Sequence, residues 1–181
     1  SGVPGEISKL SHRFIYGDKK SIDKLFKKFA NKIACVIIDP LPAIESKPDK
    51  NFLKYLEKKC KEKKIVLIFD EVVCGFRYLD KSVQGNTGVK PDLSAFSKGI
   101  ANGMPISALV GKKYIMKQFS EIFYSLTFAG ETLSLAAARE VLKIHNNLDI
   151  PSYIDRQGLR LRNGLEDLIL KKRLEKKLKI Y

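Results

Sequence analysis

The 181-residue sequence reads as an α/β fold, a mostly parallel sheet flanked by helices. Three observations lead there. Two uninterrupted apolar runs of strand length occupy residues 33–38 (IACVII) and 65–69 (IVLIF); an amphipathic helical stretch precedes each; and each run closes on an acidic residue, Asp39 and Asp70. An apolar run of this kind fits a strand buried on both faces, as in parallel sheets wrapped by helices. Such sheets bind ligands beyond the carboxyl ends of their strands, so Asp70 stands in a functional place on pattern alone.

Each element has its own signal. Ser21 is placed to cap a first helix of about three turns, in which Ile22, Leu25, Phe26 and Phe29 follow the i, i+3, i+4, i+7 rule. After the first strand, Asp39-Pro40 opens a loop over 41–49 that carries Pro42 and Pro48. Asp49 can cap a second helix, with Phe52, Leu56 and Cys60 on one face and charges on the other. Residues 93–97 (LSAFS) and 106–110 (ISALV) read as two further short strands around a glycine-rich stretch, 98–105. Residues 133–145, rich in alanine and leucine, begin a helical last third, and Ile154, Leu161, Leu165 and Leu168 mark a second long amphipathic helix. The segment 171–179 is basic, and no internal repeat is present.

The net charge is +14, with 34 lysines and arginines against 20 acids, but 44% of the chain is hydrophobic. That apolar share excludes a disordered basic tail and suffices for one packed unit. The lysines alternate with glutamates in helical stretches and no aromatic residues interleave with them, which reads as solvated helix faces and no nucleic-acid platform. The sequence shows no charged-then-apolar leader and no apolar run near the ~20 residues of a membrane span, so a cytoplasmic protein without membrane contact is expected. Cys35, Cys60 and Cys74 have neither the spacing of a metal cluster nor that of a disulfide framework.

Three stretches carry chemical potential. In FDEVVCGFR, Asp70 ends a buried strand; it serves either as a cap or salt-bridge partner, or as an anion awaiting a ligand cation. In LSAFSKGIANGMP, Lys98 directly follows a strand, as an ordinary loop lysine or as a nucleophilic amine. In SLTFAGETL, a small-residue turn enters a helix; either Thr127 or Glu131 caps it, or its free amides and the Thr127 hydroxyl cradle a phosphate. Asp70 and Lys98 lie 28 residues apart, a spacing that lets neighbouring strand ends carry both into one crevice.

The three together resemble the class III aminotransferases, fold-type I pyridoxal-phosphate enzymes, and most of all their glutamate-1-semialdehyde aminomutase-like branch. The matching text is FDEVVCGFR, GVKPDLSAFSKGIANGMPISALVG and SLTFAGETLSLAAA. The resemblance implies a lysine, Lys98, that holds pyridoxal 5'-phosphate as a Schiff base and shuttles the proton. It implies Asp70 on the pyridine nitrogen, Val72 against the ring face, and Thr127 on the cofactor phosphate across a subunit boundary. A homodimer with shared sites follows, acting on a small-molecule amino donor and a carbonyl acceptor by amino-group transfer or by the aminomutase isomerisation. The departures are Val73, where many relatives carry glutamine, Asp39-Pro40 in place of Glu-Pro, and Cys74 in place of threonine. The family's upstream phosphate loop, stacking aromatic and C-terminal small domain have no match. Residues 1–181 are therefore expected to be one segment, the second half of the cofactor-binding large domain. The competing expectation, a noncatalytic relative serving as a basic binding or assembly module, leaves the pairing of Lys98 with Asp70 unexplained.

Overall fold

A computed structural model describes residues 2–180 except 44 and 46, and the backbone alone of residue 81. Four strands form one sheet in the order β1-β2-β3-β4. β1 (Cys35–Ile38), β2 (Val66–Asp70) and β3 (Leu93–Phe96) are mutually parallel, and β4 (Ala108–Gly111) runs antiparallel to β3. This is the mostly parallel α/β sheet that the sequence pattern implies.

The helices are α1 (Gly5–Ser8), α2 (Lys19–Lys28), α3 (Lys50–Lys63), α4 (Val83–Thr87), α5 (Lys113–Met116), α6 (Thr132–Asn147) and α7 (Ile150–Lys171). Asp49 caps α3 as expected, its carboxylate accepting the Phe52 amide at 2.9 Å. The cap of α2 differs from expectation. Asp18 accepts the amides of Lys20 and Ser21 at 2.8 and 3.2 Å, while the Ser21 hydroxyl accepts the Ile15 amide instead. An aspartate three residues upstream offers an ionised acceptor to the same orphan donors, and the charge favours it at a helix N-terminus. The loop expected over 41–49 holds where it is described; residues 44 and 46 lie outside the described residues.

The main core is one layer of helix on sheet. Ile22 and Phe26 of α2 and Phe52, Leu53, Leu56 and Cys60 of α3 pack on Val36, Ile38, Leu67 and Phe69. The expectation that β1 and β2 are buried on both faces is not met. Val36 and Ile38 are buried, whereas Ile37 between them is 60% exposed and Cys35 is exposed. Leu67 and Phe69 are buried and Val66 and Ile68 only half so. Successive side chains point to opposite faces, and α2 and α3 both cover the same one. A run of apolar residues announces two apolar faces but not which stretch of chain covers the second. A smaller cluster, Ile100, Ala101 and Ala138, joins the turn after β3 to α6. α6 and α7 leave large apolar side chains exposed, among them Leu133, Leu142, Leu161 and Leu168. Among the described residues no helix is long and apolar enough to cross a membrane.

β4 is locked to its neighbours by Asp92. One carboxylate oxygen accepts the Leu67 amide at 2.8 Å and the other pairs with Lys112 at 2.5 Å, so a single side chain ties β2, β3 and the end of β4 together.

Candidate active site

The parallel strands bring three charged side chains to one edge of the sheet. Ile38 lies opposite Phe69 in the register, so the next residues, Asp39 and Asp70, end the two strands side by side. Asp70 in turn lies opposite Ala95, and Lys98 follows three residues later. Each carboxylate is anchored by its own turn: Asp39 Oδ1 accepts the Leu41 amide at 3.0 Å, and Asp70 Oδ1 accepts the Val72 amide at 3.1 Å. Both residues are half-buried. Burial raises the Asp39 carboxyl above its ordinary range; the Leu41 amide works against this, the Asp70 charge adds to it, and the Lys98 charge opposes it. Asp39, Asp70 and Lys98 therefore share one electrostatic neighbourhood.

Lys98 itself sits in the left-handed region, φ 41°, at the start of a tight turn, Lys98–Ile100. A side-chain-bearing residue is costly there, so the surroundings must hold it. Two glycines show how. A Cβ on Gly99 would stand 2.9 Å from the Gly75 carbonyl oxygen, and one on Gly75 would stand 2.5 Å from the Phe96 ring and 2.7 Å from the Glu71 carbonyl oxygen. The turn after β2 thus lies directly on the turn after β3, and only glycine permits that approach. Ser97, just before the lysine, donates its hydroxyl to the Ile106 carbonyl at 2.9 Å, fixing the other side.

Glu71, beside Asp70 in sequence, was not singled out by sequence reasoning and is fully buried. Its carboxylate accepts the Val83 amide at 2.7 Å and the Gln84 amide and side chain at 3.3 and 3.0 Å. The same Gln84 side chain donates to Ser94 Oγ on β3 at 3.0 Å. Cys74, buried, donates its thiol to Glu71 at 3.7 Å, so the departure from threonine keeps a side chain that reaches this carboxylate. Burial, with the Glu71 charge beside it, pushes that thiol up. Val72 is half-buried just beyond Asp70, and Val73 is 50% exposed.

Thr127 is exposed, on the rim of a cavity of about 540 Å³ whose wall includes Ser97, Ile106, Phe128, Gly130 and Ser134. Ser97 connects the cavity to Lys98 through the chain. The cap of α6 is Glu131 rather than Thr127, its carboxylate accepting the Leu133 and Ser134 amides at 2.6 and 2.7 Å. Contacts with Ser134, through side chain and backbone, and the Leu133 amide hold the Glu131 carboxyl below its ordinary range. Two of the amides at the helix start are thus occupied, and Thr127 keeps its hydroxyl at the cavity.

The sheet and its flanking helices form a fold shared with solved transaminases. The structure superimposes on the FumI protein of Sphingopyxis sp. MTA144, solved in its PLP internal aldimine form, with a TM-score of 0.87 over 94% of this chain and 42% of that one, at 29% identity. An omega-transaminase from Sphaerobacter thermophilus matches with a TM-score of 0.71 at 29% identity, over 86% of this chain and 37% of that one. The family model for class-III aminotransferases matches residues 9–178, and the chain belongs to that family. Glutamate-1-semialdehyde 2,1-aminomutase of Clostridium botulinum (strain Alaska E43 / Type E3) is 36% identical over 170 residues, 91% of this chain and 40% of that protein. The enzyme of the same name from Thermosipho melanesiensis is 39% identical over 158 residues, 83% of this chain and 37% of its own length. The chain spans about two fifths of the length of these curated relatives.

Proposed function

We propose that this chain supplies the lysine and the ring-binding carboxylate of a pyridoxal-phosphate-dependent enzyme that transfers an amino group, within a glutamate-1-semialdehyde-like molecule or between an amino donor and a carbonyl acceptor. The observation that carries the reading is the arrival of Asp70 and Lys98 at adjacent ends of parallel strands, in one electrostatic neighbourhood with Asp39. The donor set fits the cofactor: an anion for a ring nitrogen and an amine for a carbonyl, held in place by glycine-tight turns.

When bound, pyridoxal phosphate supplies a carbonyl that takes up amines and a ring that takes up the electron pair left when a proton is removed. Asp70 would keep a ring nitrogen beside it protonated, because a fixed carboxylate favours the charged form of a neighbouring cation. Lys98 would hold the cofactor through its amine and, whenever that amine is free, would move the substrate proton as a general base and acid. Val72 would pack against the cofactor ring, and the Thr127 hydroxyl would donate to the phosphate held in a partner subunit's site. The apolar surface left open on α6 and α7, with the exposed Thr127 rim nearby in sequence, supports a homodimer with shared sites. The reading includes a cytoplasmic enzyme acting on small molecules, without nucleic acid or membrane, whose residues 1–181 form the second half of the cofactor-binding domain.

Borohydride treatment of the intact protein loaded with pyridoxal phosphate tests this. A cofactor mass on the peptide containing Ser97-Lys98-Gly99 is expected; labelling of another lysine sinks the assignment. Amino transfer from glutamate 1-semialdehyde, compared with simple amines, then separates the aminomutase from a general transaminase.

A further inference from the structure

Phe76 holds the same left-handed backbone as Lys98, φ 63° against 41°. A bulky side chain is costly there and persists only where its surroundings over-determine it. The surroundings of Phe76 are the turn that carries Lys98 and helix α6. Its ring meets the Phe96 ring edge-on, 5.7 Å between centroids, and the His145 ring of α6 at the same distance and 70°. Its Cβ would lie 3.3 Å from a Cβ on Gly99, so the backbone next to Lys98 rests against it. The side chain packs on the cluster that Ile100 and Ala101 of that turn form with Ala138 of α6. Along the chain, Phe76 belongs to the turn that begins at Asp70, and that turn is one hydrogen-bonded unit. The Asp70 carboxylate accepts the Val72 amide at 3.1 Å, and the Gly75 amide donates to the Glu71 carbonyl at 2.9 Å. The Tyr78 amide donates to the Cys74 carbonyl at 3.0 Å, and the Glu71 amide ties the unit to the Ala95 carbonyl of β3 at 2.9 Å. A ring wedged between this unit and the Lys98 turn sets how the two turns stand to each other.

We propose that Phe76 is a positioning residue: wedged between the Lys98 turn and α6, it holds the Lys98 turn at the placement relative to Asp70 that one bound cofactor needs. The inference rests on the cofactor chemistry proposed above, which asks that a single ring meet both residues at once. The sheet register places Asp70 opposite Ala95, but Lys98 stands three residues beyond that pairing, on a backbone that only contact can hold. Ser97 fixes one side of the turn through the Ile106 carbonyl, and Phe76 fills the other side, against the Asp70 turn. A displacement on the order of 1 Å at a reacting group is felt in rate. The signature of the residue is therefore slow bond formation at Lys98, with undiminished affinity for a ligand that bypasses the lysine.

The test uses the intact protein stripped of cofactor. Capture of pyridoxal phosphate by Lys98 is followed in time, as visible absorbance and as the borohydride-trapped peptide. Beside it stands the affinity for pyridoxamine phosphate, which has no carbonyl for the lysine. In Phe76→Leu, which removes the ring and keeps an apolar side chain, capture is expected to slow about ten- to a hundredfold, with pyridoxamine phosphate affinity within about twofold of wild type. Phe76→Tyr keeps the ring and is expected to retain the wild-type rate. Gly99→Ala drives the two turns apart, since its Cβ would stand 2.9 Å from the Gly75 carbonyl oxygen. It is expected to reproduce the Phe76→Leu pattern, and decides the matter should Phe76→Leu fail to fold. A measurement free of cofactor is hydrogen exchange of the Ile100 and Asn102 amides, which donate to the Ser97 and Lys98 carbonyls at 3.0 and 2.9 Å and should exchange faster in Phe76→Leu. Unchanged capture, equal loss for both compounds, a Phe76→Tyr rate as slow as that of Phe76→Leu, or unchanged exchange overturns the proposal. Absence of capture at Lys98 in the wild type overturns the cofactor reading itself, an outcome visible before any variant is made.

Discussion

Glu71 accepts the Val83 amide at 2.7 Å with a carboxylate that is wholly buried, while Asp70, its neighbour in sequence, stays half-open at the sheet edge. Side chains alternate across a strand, so consecutive acids at a strand end must part: one faces the edge where a ligand can arrive, the other turns into the protein. Glu71 uses its charge to hold the entry of α4 and, through Gln84 and Ser94, ties the 82–84 segment to β3. The turn that positions Asp70 is thereby braced from behind.

The brace has a measurable cost when removed. Glu71→Ala leaves the buried Val83 amide and the Gln84 donors without their acceptor, and a buried donor left unpaired costs about 1–3 kcal/mol. A total loss of roughly 3 kcal/mol is expected, read from denaturant unfolding of the intact protein with unchanged m-value. Glu71→Gln retains one acceptor oxygen and should recover part of it. Equal stability of Glu71→Ala and wild type would contradict the bracing role.

The contrast between these two acids marks where sequence reasoning reaches and where it stops. Asp70 and Lys98 were found because each directly follows a strand, and strands 33–38 and 65–69 announce themselves by apolar run and length. Glu71 was missed because its partners, Val83 and Gln84, lie 12 and 13 residues on, in a short helix with little periodic signal. Sequence reasoning placed the α2 cap at Ser21, next to the first apolar residue, and did not consider Asp18; the backbone turn that brings Asp18 over the helix start is a matter of φ and ψ. The exposed side of Ile37 shows a further boundary: hydrophobicity records that a face is to be covered, and tertiary packing decides by what. Glu131 was weighed as a cap of α6 beside Thr127, and the ionised acceptor took the amides.

The raised Asp39 carboxyl has a consequence for stability. A carboxyl that ionises at higher pH in the folded protein than in the unfolded one binds more protons when folded, so stability falls as pH rises from the ordinary carboxylate range through the raised value. In cofactor-free protein, Asp39→Asn removes that loss. Its Tm relative to wild type should therefore be higher near neutral pH than below the ordinary carboxylate range. A pH-independent difference in Tm would show that the carboxyl titrates alike in both states.

Asp70→Asn tests the charge at the ring nitrogen on the proposed chemistry. The amide keeps the size and one acceptor for the Val72 amide, but it no longer favours a protonated ring, so the carbanion formed on proton removal loses its main stabilisation. Loss of one preorganised electrostatic partner typically costs a factor of about 10²–10³ in turnover. A slowing of at least about a hundredfold in the proton-removal step is expected, with trapping at Lys98 retained. Near-normal turnover would make Asp70 a turn-anchoring residue and nothing more.

Thr127 carries the sharpest test of the dimer, because it stands exposed on the rim of the cavity that Ser97 also lines, where a phosphate from either subunit's site could reach it. Its hydroxyl is free of capping duty, since Glu131 holds the start of α6. As a donor to a phosphate, it should contribute about 1–2 kcal/mol to cofactor affinity, a drop of roughly five- to thirtyfold in Thr127→Ala measured by equilibrium dialysis. If the phosphate belongs to the partner subunit's site, mixing Lys98→Ala with Thr127→Ala subunits sorts the defects: each mixed dimer has one site with both lesions and one with neither. Activity at limiting cofactor should then rise above the average of the two parent variants. No gain, in subunits shown by mass to have exchanged, would return Thr127 to its own subunit's site or to none.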